Sequence, residues 1–170
     1  MILWAEDADS VVPPMKLAAS QMLPPCGAHD PIRYAWSPEA DAGRITWSFE
    51  ALDDLQADIY ALVYDDLPGL QNLDPDSYWL SLDGGPEMRW AYGCYTASWP
   101  EARWGWVPLL PLVSGNCSAD APTYDVPAGV HTISLRNNEP EQQGRIASIA
   151  AIYIAPTPAP DPYEVYDPYP

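Results

Sequence analysis

Five tryptophans, Trp79, Trp90, Trp99, Trp104 and Trp106, crowd the middle of the chain. An indole offers a flat apolar face to the C–H side of a sugar ring, while nearby amides and carboxylates hydrogen-bond its hydroxyl rim, the usual mix of aromatic wall and few polar groups in a small-ligand site. Asn137 and Asn138, in the turn after the strand that carries His131, supply amides of the right kind. The same rings also suit a core: Trp47, Trp104 and Trp106 alternate with small or polar neighbours as inward-facing residues do, so about half of the tryptophans fill the interior on this reading.

Other chemistry is less well provided for. Asn72, Asp74, Asp76 and Asp83 have a spacing that suggests a calcium loop, but Ser77 stands where an EF-hand loop requires glycine. Asp and Asn in turns more often bond their own backbone. Only two histidines exist, His29 in a proline-rich loop and His131 in a strand, and no GxSxG marks a nucleophile. With 24 acidic residues, a pair of carboxylates at glycosidase spacing arises by chance, so binding is favoured over catalysis. No glycine-rich loop is set to cradle a phosphate.

The elements that must position these residues are short strands. Prolines number 21 in 170 residues and are spread throughout, which excludes long helices. Alternation is clearest from Gly43 to Glu50, where Ile45, Trp47 and Phe49 face one way and Thr46 and Ser48 the other. Asp58 to Tyr64, DIYALVY, is apolar on both faces and belongs in a sheet interior or under a covering partner. Ser77 to Asp83 and Glu87 to Tyr92 flank Asp83-Gly84-Gly85-Pro86 as a hairpin. Further strands are predicted at Met1 to Ala5, Lys16 to Ala19, Arg33 to Trp36, Arg103 to Val107, Val130 to Arg136 and Arg145 to Ile154. One helical turn at most is allowed near Ala51 to Ala57. About ten short strands divided by turns predict an all-β sandwich or barrel.

Charge and cysteines narrow the setting. Seven Lys and Arg against 24 Asp and Glu give a net charge of -17. Nucleic acid and anionic membrane surfaces are excluded as main partners, because their phosphates need clustered cations. The longest apolar run, Ile146 to Ala155, is too short to span a membrane, which predicts a soluble chain with no membrane insertion. Glu6, Asp7 and Asp9 fall where a signal peptide would be basic and then apolar. Cys94 and Cys117 flank the Trp-rich segment in loop-like contexts, so a disulfide is expected to close it in an oxidising compartment, with Cys26 left over. Low lysine and heavy aspartate likewise suit an extracellular or cell-surface location.

From Pro156 the chain changes character: PTPAPDPYEVYDPYP cannot pair as a central strand. A domain of residues 1–155 and a Pro/Tyr-rich extended tail of residues 156–170 are therefore expected. Tyr163, Tyr166 and Tyr169 recur every three residues, which lines the rings along one side of a polyproline helix. Such a stripe suits docking, on this domain or on a neighbouring copy in a homo-oligomer or polymer.

In one order along the chain stand WAEDA at Trp4 to Ala8, Pro13-Pro14-Met15, GRITWSF at Gly43 to Phe49, DSYWLSLDGG at Asp76 to Gly85, WGW at Trp104 to Trp106, AGVHTISLR at Ala128 to Arg136 and GRIASI at Gly144 to Ile149. This ordering resembles the galactose-binding-like jelly rolls, in particular carbohydrate-binding modules of families six and thirty-five, across nearly all of residues 2–154. The resemblance implies an antiparallel jelly-roll β-sandwich and a glycan partner held without catalysis. It implies a ligand site at Trp90, Trp99 and Asn137, with Asn138 beside it and Tyr34 or Trp36 opposite as a looser match. Relatives hold a structural calcium with a Glu-Ala-Glu start and an Asp in the last strand. Here Trp4 replaces the first Glu, Glu6 remains and Ala147 stands in place of the Asp, so that site is expected to be lost or weak. Calcium at Asp74 and Asp76 is the other metal reading. Two functions follow, an extracellular carbohydrate-binding or adhesion domain, or a structural subunit of an assembly joined by its tail.

Overall fold

The computed structural model describes residues 1–20, 31–66, 68, 75–112, 117 and 123–168. Asn72, Asp74, Cys26, His29 and Tyr169 lie outside these residues. Twelve described strands form two antiparallel sheets. In the first sheet, β6 (Leu55–Asp65) and β12 (Ser148–Pro156) run side by side at the centre. The far edge of β6 pairs with β9 (Arg103–Pro108) and β10 (Tyr124–Val126). The far edge of β12 pairs with β1 (Ile2–Trp4) and β4 (Arg33–Trp36), and β4 pairs with β3 (Lys16–Ala19). The second sheet runs β2 (Ser10–Val12), β5 (Arg44–Ala51), β11 (Gly129–Asn137), β7 (Ser77–Leu82), β8 (Met88–Ala91).

Alternation decides what lies between the sheets. Ile45, Trp47, Phe49 and Ala51 of β5 point inward, as do Ile133 and Leu135 of β11 and Tyr78 and Leu80 of β7. They meet Ala57, Ile59, Ala61 and Val63 of β6 and Ile149, Ile152 and Ile154 of β12. Two buried indoles are hydrogen-bonded there: Trp47 Nε1 donates to the Trp4 carbonyl at 2.8 Å, and Trp90 Nε1 to the Pro108 carbonyl at 3.1 Å, while the buried Tyr78 hydroxyl has no partner among the described residues. The turn after β7 has Asp83 at φ 49° and Gly84 at φ 65°, the left-handed pair that a tight hairpin requires. Between β5 and β6 the chain only bends, and no helical turn forms there.

A second apolar cluster lies on the outer face of the first sheet. Leu62, Trp104, Trp106, Ala151, Tyr153 and Ala155 are buried there, although a two-layer sandwich gives that face no partner sheet. The C-terminal segment covers part of it. Beyond Pro156 the chain does not stay extended: Asp161 caps a short helix α2 (Pro162–Val165) by accepting the Tyr163 N–H at 3.0 Å, with Pro162 in the first helical position. The expected polyproline stripe is thereby broken, because the side chain of Asp161 and the proline after it favour a helical turn. Tyr166 meets Trp4 edge to face at 4.9 Å. Its carbonyl accepts from Trp106 Nε1 at 2.9 Å, and the Tyr163 hydroxyl accepts the Trp106 backbone N–H at 3.1 Å.

The loops at the start of β7 are fastened by polar groups. Buried Asn137 donates through its amide nitrogen to the carbonyls of Glu39, at 2.7 Å, and of Glu139. Asp76 is buried beside Glu139 and Asp65 and accepts the Gly93 N–H; burial first, then those two carboxylates, pushes its pKa up to about 7, against the pull of Arg89 and the Gly93 N–H. A short helix α1 (Gly93–Thr96) follows β8, and Cys94 within it is bonded to Cys117, as the sequence leads one to expect.

Opening that disulfide with reductant, or replacing both cysteines by serine, is expected to cost about 3 kcal/mol in urea unfolding, from the loop entropy released to the unfolded chain; an unchanged midpoint would contradict it. For Asp76 the folded pKa lies above the unfolded value of 3.8, so the folded state holds the proton more tightly, and stability falls as pH rises from about 4 to about 7. Asp76→Asn keeps the acceptor for Gly93 and is expected to flatten that slope and stabilise the protein at neutral pH. Parallel pH profiles for the two proteins would refute this role for Asp76.

Candidate functional site

A cavity of about 340 Å³ opens on the outer face of the first sheet, at the end where β12 begins. Its size lies at the small end of the range for small-molecule pockets. Tyr34 of β4 and Tyr64 of β6, both partly exposed, form the walls, and Trp104 of β9, itself buried, lies between and behind them. The Trp104 ring lies 5.6 Å from Tyr34 and 5.4 Å from Tyr64, centroid to centroid, with both tyrosines tilted against it. Sheet register brings this about: Tyr64 pairs with Trp104 on one side and with Ser148 on the other. Side chains opposite one another across paired strands share a face.

Polar groups ring the aromatics. Ser20, just past β3, accepts from Trp104 Nε1 at 3.4 Å, and Ser148 opens β12. Asp66 follows β6. Arg145 reaches the rim from a tight turn whose central residues, Gln143 at φ 55° and Gly144 at φ 82°, are both left-handed; Arg145 and Gln142 exchange backbone hydrogen bonds across it at 2.9 and 3.0 Å. Partial burial raises the Tyr34 pKa, so its phenol stays a neutral donor. Aromatic rings beside hydroxyls, one guanidinium and one carboxylate can hold a sugar ring by stacking and hydrogen bonds. Among the described lining residues Asp66 is the one carboxylate, so these residues do not make the pair that glycoside hydrolysis uses.

The residues singled out from sequence do not converge on one site. Tyr34 is a cavity wall. Trp36, two residues on along β4, points to the same side but is covered by Lys16, whose Nζ lies 3.8 Å from the ring centroid. Trp90 is a correction: it is fully buried and pairs in register with Tyr78, their rings stacked at 6.0 Å, so no ligand meets it. Asn137 is another, since it is fully buried as the loop clamp described above. Asn138 donates to Ser77 Oγ at 2.7 Å and so fixes the start of β7. Trp99 is half-buried over β9, where a Cβ on Gly105 would sit 2.6 Å from its ring. Tyr64, Ser20, Ser148, Asp66 and Arg145 went unnoticed in the sequence; the signal was the second apolar face of DIYALVY, which ends on Tyr64.

The metal readings fare poorly. Glu6 is exposed and paired with Arg33 at 3.1 Å, Ala147 is buried in the place of the relatives' Asp, and the Trp4 ring packs on Tyr166. These residues do not fit the structural calcium of the resembling modules. Asp76 is buried, and no described group of three His, Cys, Asp or Glu side chains is arranged to hold a metal. Asp83 instead binds His131 Nδ1 at 2.8 Å, while His131 Nε2 faces the Pro127 carbonyl at 2.7 Å.

No protein-family model matches the sequence, and no curated protein matches it either. Solved structures do. A family 35 carbohydrate-binding module from Clostridium thermocellum superposes with a TM-score of 0.56 at 15% identity, over 91% of this chain and 98% of that one. A β-1,3-glucan-binding family 6 module from Bacillus halodurans gives 0.52 at 10% identity, over 91% and 94%. The GH26-CBM35 β-(1,4)-mannanase of Podospora anserina gives 0.58 at 16% identity; 95% of this chain is covered, but it spans only 28% of that enzyme. At such identities the likeness is one of fold, and the chain has the jelly-roll fold of family 6 and family 35 carbohydrate-binding modules.

Proposed function

We propose that this is a non-catalytic, extracellular carbohydrate-binding domain that takes a neutral sugar in the Tyr34, Tyr64 and Trp104 cavity. The observation that carries the reading is the cavity itself, in which the rings of Tyr34 and Tyr64, packed on the buried Trp104, meet Ser20, Ser148, the Arg145 guanidinium and the Asp66 carboxylate. Its occurrence on a fold shared with carbohydrate-binding modules adds support by analogy. The Cys94–Cys117 disulfide favours an oxidising, extracellular setting. The sugar reading is preferred to the assembly reading because Tyr163 and Tyr166 are engaged on the domain's own sheet.

Isothermal titration with glucose, galactose and mannose, and with their short β-1,3- and β-1,4-linked oligomers, tests the proposal. Tyr34→Ala removes a half-exposed wall and is expected to weaken the bound sugar by about tenfold, the scale of one lost aromatic stack, with little change in Tm. Trp99→Ala, which leaves the cavity intact, is expected to keep the affinity. Equal affinity in Tyr34→Ala and loss in Trp99→Ala would move the site to the loops beyond β8.

A further inference from the structure

The aromatic wall of the cavity does not end at Trp104. Trp106 lies two residues further along β9 and therefore on the same face, displaced by roughly 7 Å. Its ring stands 6.1 Å from Tyr153, which stands 6.2 Å from Tyr60. One stripe of rings thus runs down the outer face from the open cavity to the far end of the sheet. The C-terminal segment lies across its second half. Thr157 Oγ1 and the Ala159 N–H both donate to the Asp58 carboxylate, at 2.8 and 2.9 Å, which fixes the root of the tail. Pro162 is buried. Tyr163 then reaches the edge of β9, where a Cβ on Gly105 would lie 2.8 Å from its hydroxyl; glycine between the two tryptophans lets the tail come this close to the cavity.

Resting on the sugar reading above, we propose that the C-terminal segment is a specificity element: it covers the Trp106, Tyr153 and Tyr60 half of the aromatic stripe and so limits the site to the end unit of a glycan, or to a very short one. The cavity holds the terminal sugar on Tyr34 and Tyr64, with the buried Trp104 behind them. A chain continuing down the sheet would collide with Tyr163 and α2. The segment fills the surface that further units of a linear glycan would use, with its own tyrosines and prolines in their place.

The experiment loosens the tail and reads the dependence of affinity on glycan length. Asp58→Ala combined with Tyr166→Ser removes the root anchor and the ring against Trp4 while leaving every cavity residue in place; a chain ending at Pro156 is the second variant. Acrylamide quenching reports exposure of Trp106. In the intact protein, affinity for linear β-linked oligomers of the sugar that binds is expected to be the same as for the single sugar. The loosened protein is expected to bind the longer oligomers about tenfold more tightly, as one or two newly opened aromatic stacks would give, with the single-sugar affinity unchanged. If Trp106 becomes exposed and single-sugar binding persists without any gain with length, the tail is only a cover and the proposal is overturned, while the sugar site stands. If neither form binds any of the sugars, the sugar reading fails and the proposal falls with it.

Discussion

The structure depends on the two-sided apolar character of its central strands. Every residue of β12 from Ser148 to Ala155 is buried, and β6 beside it is buried on its inner face and, from Tyr60 to Tyr64, apolar on its outer one. A two-layer sandwich satisfies one face of such a pair and leaves the other to find cover. Trp106 and Tyr153, at 6% and 4% exposure, have found it on the outside of the fold. Aromatic side chains of this size each bury about 150–250 Å², so leaving both bare would forfeit several kcal/mol. The N-terminal Trp4 and the C-terminal Tyr163 and Tyr166 supply the cover. They also satisfy the outward backbone N–H of Trp106 and its indole N–H, and so blunt an edge strand that would otherwise invite pairing.

The same requirement shapes the candidate site. Where the cover stops, near Gly105, the aromatic face becomes a cavity edged by Ser20, Ser148, Asp66 and Arg145. The loops at the start of β7 are filled instead. Asn137, Asp76 and Tyr92 turn inward there, and the Tyr92 hydroxyl donates within reach of the carbonyls of Tyr64 and Pro75, both at 3.2 Å. That packing holds the end of β6 beside the end of β12, and so holds Tyr64 against Trp104. A site on the sheet face and a packed loop end are two consequences of one arrangement.

Much of the fold was legible because alternation survives in single strands. Ile45, Trp47 and Phe49 face inward as their spacing requires, and Asp83-Gly84 makes the turn its residue types favour. Strands β2 and β10 were not legible, since each offers only three residues beside prolines or acidic residues and neither carries a run of apolar side chains. Trp90 could not be placed from the turn: a two-residue turn at Asp83-Gly84 would set it opposite Ser77, and one further residue in the loop brings it opposite Tyr78, an inward residue. Nor could Asn137, because its role depends on carbonyls of Glu39 and Glu139 brought together only by the folded loops. The tail's fate was half legible. The apolar second face of Asp58 to Tyr64 called for a covering partner, and the tyrosines at Tyr163 and Tyr166 offered one, but nothing in the sequence tied the two together.

On the proposed reading a sugar binds on the outer face of the first sheet beside the tail, and not at the loops near α1. Amide and indole N–H chemical shifts of the intact protein, followed by NMR during titration with the sugar that binds, locate the contact directly. Shifts are expected at the Trp104 indole and along the backbone near Ser20, Tyr34, Tyr64, Arg145 and Ser148, and nowhere else. Shifts centred instead on Gly93 to Trp99 and Asn137 to Glu139, with the Trp104 indole unmoved, would contradict it.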